Sequence, residues 1–108
     1  MEQLLQKYAE LIVKVGANVQ KDQRVLIRAT TDNNKIVRLI TKEAYLVGAK
    51  EVLVQWSDDE VSLLDGLHQS IETMKEVPEY VVKRAEYLVE ENVCHIARSE
   101  EHTSELQS

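Results

Sequence analysis

The sequence predicts an α/β fold, a two-layer or three-layer sandwich with a mainly parallel sheet, from three observations. Apolar residues recur at spacings of three and four in four separate segments. Three short aliphatic runs lie between and after them, and the interval between the first two runs has the length of a crossover helix. The predicted order is α-β-α-β-α-α-β, incomplete at the carboxyl end.

In the opening segment Leu4, Leu5, Tyr8, Leu11, Ile12 and Val15 keep helical spacing while Glu2, Gln6, Glu10 and Lys14 take other faces, so it reads as an amphipathic helix. Gly16 suits its stop. After the polar turn "QKDQ", the run "RVLIRA" (24–29) is β-branched and aliphatic and too short for a helix that stands alone, which makes it a buried strand. Thr31 or Asp32 can cap the next helix, whose inner face would carry Ile36, Val37, Ile40, Ala44 and Val47, with Gly48 just beyond. "EVLVQW" (51–56) is a second strand, expected parallel to the first and adjacent or nearly so.

"SDDE" (57–60) reads as a capping box in which Ser57 accepts from the Glu60 N–H and the Glu60 carboxylate reaches back. The helix it opens would have Val61, Leu64 and Leu67 as its apolar stripe, weakened near its end by Gly66. "HQSIETMKEV" fits no single pattern. Pro78 suits the first position of a further helix with Val81, Val82, Ala85, Leu88 and Val89 at helical spacing and Asn92 at its close, and "VCHIA" (93–97) begins a third strand.

With 108 residues the chain is one small domain at most, able to bury about two thirds of the surface its unfolded form exposes. A hydrophobic share of 44% beside 30% charged residues, with three Gly and one Pro, describes a folded body rather than a linker. The net charge of −6 has the wrong sign for neutralising phosphates, which argues against nucleic acid as a partner. Cys94 is the lone cysteine, so it forms no intramolecular disulfide and reads as a buried, inert thiol of a reducing compartment. The amino-terminal segment mixes charge into every turn and holds neither a signal-peptide core nor the roughly 20 apolar residues of a membrane span, so a cytoplasmic location is expected and no membrane partner.

The candidate chemistry is sparse. Asp58, Asp59 and Glu60 put three carboxylates beyond the carboxyl end of a strand, where open α/β sheets bind ligands, but acidic residues at a helix start are equally explained by capping and by the helix dipole. "ATTDNNK" (29–35) could offer hydroxyls and N–H groups to an anion, yet it lacks the glycines of a phosphate loop, and neither GxGxxG nor GxxxxGK[ST] occurs. His68 and His95 share no ligand spacing, and Cys94 and His95 point to opposite faces of a regular strand, which disfavours a nucleophile and base pair. Trp56 reads as an anchor against a neighbouring helix or domain. No catalytic, cofactor-binding or metal-ligating residue is assigned.

Three segments, "YAELIVKVGANVQKDQRVLIRA", "EAYLVGAKEVLVQWSDDEVSLL" and "EVPEYVVKRAEYLVEENV", together resemble the amino-terminal domain of the thermophilic-type metallo-aminopeptidases, the leucyl-aminopeptidase family of aminopeptidases T, S and II (peptidase family M29). The resemblance covers residues 1–97 and rests on the V-G-x-N-x-Q turn, the E-A-Y-x-x-G-A-K-x-V entry to the second strand and the W-S-D-x-E box. One departure is Asp22, where the family commonly has Gly; Asp tolerates the left-handed region the turn requires. The resemblance implies a parent hydrolase in which two divalent ions, zinc or cobalt, activate water at a free peptide N-terminus. It also implies a homodimer acting on peptide substrates. The family's ligands lie in a carboxyl-terminal domain missing from this chain, so none is carried onto any position here, and this piece is expected to bind no metal and to be inactive alone.

The closing stretch "RSEEHTSELQS" (98–108) has no period of 2 or 3.6 and back-translates, in one frame, to a common short-read sequencing adapter. It is read as a non-native, disordered tail on a native domain of residues 1–97. Without Arg98, Glu100, Glu101 and Glu105 the net charge changes from −6 to −4. The alternative reading is a small non-enzymatic α/β binding or regulatory domain. A phospho-receiver would need an acidic cluster at the strand ends, and "RATTD" offers one displaced Asp; a flavodoxin-like domain would need a hydroxyl- and Gly-rich loop, also missing.

Overall fold

The structure, a computed structural model, describes residues 2–98. Its elements are α1 (Glu2–Leu11), β1 (Arg24–Thr30), α2 (Asn34–Leu46), β2 (Glu51–Ser57), α3 (Asp59–His68), α4 (Ile71–Lys75), α5 (Glu79–Glu90) and β3 (Cys94–Arg98). The three strands form one parallel sheet in the order β2-β1-β3, with Ile27 opposite both Val54 and Ile96. The predicted adjacency of the first two strands is therefore observed. The third strand extends one residue past its predicted end, to Arg98; the rest of the stretch read as a tail lies outside the described residues.

Three of the helices, α1, α2 and α5, end in defined turns. After α1 a π-helical turn over Ile12–Gly16 closes with the Ala17 N–H donating to the Ile12 carbonyl at 2.7 Å. At the end of α2 Gly48 adopts φ +102°, the Gly48 N–H donates to Tyr45 O and the Ala49 N–H to Ala44 O, each at 3.0 Å, and Ala44 and Ala49 are both buried. That is a Schellman ending with its apolar contact. Helix α5 ends the same way: Asn92 at φ 50° donates to Val89 O, Val93 donates to Leu88 O, and Leu88 packs with Val93.

The main core lies on one sheet face. Val25, Ile27 and Ala29 of β1 and Ile96 of β3 meet Ala9 and Val13 beneath α1 and Ile36, Val37, Ile40 and Ala44 of α2. The small Ala9 and the β-branched Val13 centre the buried arc, whereas Leu4, Leu11 and Val15, expected on the inner face, are exposed. They lie to one side of the arc that Leu5, Ala9, Ile12 and Val13 define at about 100° per residue. The opposite sheet face has a smaller cluster of Leu26, Leu88 and Val93 with Leu53 against it, giving a partial third layer.

The segment without a single pattern takes a definite form, and other expectations are corrected. Residues 71–75 form an additional short helix, α4, capped by the Ser70 hydroxyl, which accepts from the Thr73 N–H at 3.1 Å. Pro78 is the N-cap of α5 rather than its first helical residue, because its ψ of 148° is extended. Neither Thr31 nor Asp32 caps α2: both belong to a 3-10 turn, Thr31–Asn33, that precedes it, and Thr31 is turned toward Asp58. The apolar stripes of α3 and α5 are largely uncovered. Val61, Leu64 and Leu67 are exposed, and α5 buries Leu88 alone while Val82, Ala85 and Val89 stay exposed. On the second sheet face, among the described residues, only Leu88 and Val93, at the end of α5, pack against Leu26 and Leu53.

Candidate functional site

Beyond the carboxyl ends of β1 and β2 lies an open cleft of about 390 Å³ whose lining includes Thr31, Trp56, Ser57, Asp58 and Asp65. The parallel strands deliver these residues together, since Thr30 and Ser57 are register partners and the chain leaves both strands at that edge. Asp58 is the N-cap of α3. Its Oδ2 accepts from the Val61 N–H at 3.2 Å, and its Oδ1 accepts from the Thr31 hydroxyl at 3.3 Å. One carboxylate oxygen thus caps α3 while the other ties it to the loop after β1.

The capping box expected between Ser57 and Glu60 does not form; a single cap falls one residue later, at Asp58, with Val61 in the third helical position. Ser57 is still paired in β2, so Asp58 is the first side chain free to turn back onto the helix. Asp59 and Glu60 fall in the first turn of α3, where acidic side chains favour the helix dipole. Among the described residues no group of three or more His, Cys, Asp or Glu side chains is placed to hold a metal ion. The donor set therefore does not fit a metal centre, and no hydrolytic step is derived from these residues.

The remaining sequence candidates are separated. His68 ends α3 and is exposed; His95 lies on β3 opposite Leu26. Cys94 pairs with Val25 and packs against the main core, so it and His95 do occupy opposite sheet faces. The Cys94 thiol is half-buried and donates to the Ala17 carbonyl at 3.6 Å, and burial pushes its pKa up. A protonated, partly covered thiol is a poor nucleophile. Trp56, expected as an anchor, keeps 44% of its surface exposed on the wall of the cleft.

Two features were not singled out from the sequence. Arg24, at the start of the central strand, donates to the Tyr87 hydroxyl at 2.7 Å and lies 3.7 Å from carboxylate oxygens of Glu51 and Glu91, fastening β1 to β2 and to the end of α5. Its Nε is buried without a hydrogen-bond partner among the described residues. Glu43 is only 4% exposed, and its Oε2 accepts from Gln6 Nε2 at 2.7 Å. The signal for Glu43 was available: it stands seven residues after Ile36 and three after Ile40, on the core-facing arc of α2. The same Gln6 amide donates to Glu10 at 3.2 Å, beside a larger groove of about 690 Å³ between α1 and α2. That groove shares no lining residue with the cleft at the strand ends.

Comparison with known proteins gives the context for this geometry. A family model described as thermophilic metalloprotease (M29) matches residues 1–108. Aminopeptidase AmpS of Bacillus subtilis (strain 168) is 45% identical over 95 residues, which cover 88% of this chain and 23% of that protein. Aminopeptidase PepS of Streptococcus thermophilus is 39% identical over 92 residues, 85% of this chain and 22% of its own length. The solved structure of wild-type AmpT from Thermus thermophilus superposes with a TM-score of 0.79 at 28% identity, covering 91% of this chain and 25% of that one. The chain thus spans about a quarter of the length of the relatives it matches. On the family match across its length and the close relatives over most of it, the chain belongs to the thermophilic metalloprotease family M29.

Proposed function

We propose that this chain is the amino-terminal scaffold of a longer metal-dependent aminopeptidase, one that removes N-terminal residues from peptides, and that the scaffold alone does not catalyse the reaction. The observation that carries the reading is a contrast. Relatives named aminopeptidases share 35 to 45% identity with segments of 92 to 96 residues of this chain, yet the described residues assemble no metal-ligand set. In the parent, two divalent ions, zinc or cobalt, belong to a carboxyl-terminal catalytic domain, and the chain's role is structural: a parallel sheet with α1 and α2 packed on one face. A homodimeric parent in the cytoplasm fits this reading, and among the described residues no helix is long and apolar enough to cross a membrane.

The test is an assay of the purified 108-residue chain on leucyl and arginyl chromogenic substrates with zinc or cobalt added. No turnover is expected, and metal-dependent turnover overturns the reading. The same reading sets the native domain at residues 1–97 and makes 98–108 a translated adapter. Sequencing the source locus across codon 97 checks that boundary: genomic DNA that encodes this same tail and then a stop defeats it.

A further inference from the structure

We draw no further inference here: the strongest candidate, the surface patch of exposed apolar side chains on α3 and α4 that includes Leu64, Leu67, Ile71 and Met74, is unpartnered in a chain that spans about a quarter of the length of its relatives, and nothing in the structure shows what covers it.

Discussion

Asp22 and Gly48 meet across the entrance to the sheet: the Asp22 N–H donates to the Gly48 carbonyl at 2.7 Å, and both residues are left-handed, at φ 64° and 102°. The contact ties the turn before β1 to the end of α2, and the Lys50 N–H completes it by donating to Gln23 O at 2.8 Å. Asp at position 22 is tolerated because its short polar side chain bears the left-handed region better than most.

The two positions should respond differently to substitution. Gly48→Ala places a Cβ 3.1 Å from Lys21 Cγ and forces an unfavourable φ, so a loss of about 1 to 2 kcal/mol is expected. Asp22→Gly relieves backbone strain but frees the unfolded chain, and the opposing effects leave a change within about 0.5 kcal/mol. Urea unfolding of both variants measures the difference.

The cap of α3 gives a second contrast. Asp58→Ala removes the acceptor for the Val61 N–H and for the Thr31 hydroxyl, and is expected to cost about 1 kcal/mol. Ser57→Ala, at the end of β2 with its side chain exposed, should change stability by less than about 0.5 kcal/mol. A larger loss at Ser57 than at Asp58 would restore the capping box read from the sequence.

Cys94 makes stability depend on pH at the alkaline end. Burial raises its thiol pKa above the ordinary 9.0, so the folded chain holds its proton more tightly than the unfolded chain. This contribution is fully present below pH 9.0 and is lost as pH rises from there through the raised folded value. Cys94→Ala should flatten that part of the profile. The measurement is the denaturation midpoint of the two chains on either side of pH 9.0, and an identical alkaline decline in both refutes the assignment.

Much of this architecture was legible because local signals and packing agree in the first half of the chain. Ile36, Val37, Ile40 and Ala44 share one face of α2, and that face meets the sheet; Gly48 stands where the chain must turn left-handed. The strands were legible from β-branched runs that only a buried sheet accommodates. The site was less so. Ser57 and Asp58 are both good caps, and only pairing of β2 with β1 through Ser57 decides between them. In the second half, spacing identifies an apolar stripe but not what covers it, which is why the sequence reads α3 correctly as a helix without saying which surface its stripe meets.

Ile40 and Leu67 show how far that distinction can be measured. Both lie on helical apolar stripes, yet Ile40 is fully buried against the sheet and Leu67 is 69% exposed. Truncating Ile40 to Ala leaves a cavity in a packed core and is expected to cost about 2 to 5 kcal/mol. Leu67→Ser removes little buried surface, so at dilutions where the chain is monomeric it should shift stability by less than about 0.5 kcal/mol. Urea unfolding of the two variants at low concentration measures the contrast. A Leu67 variant as unstable as the Ile40 variant when monomeric would mean that α3 packs within its own chain, which the exposed stripe from Val61 to Leu67 contradicts.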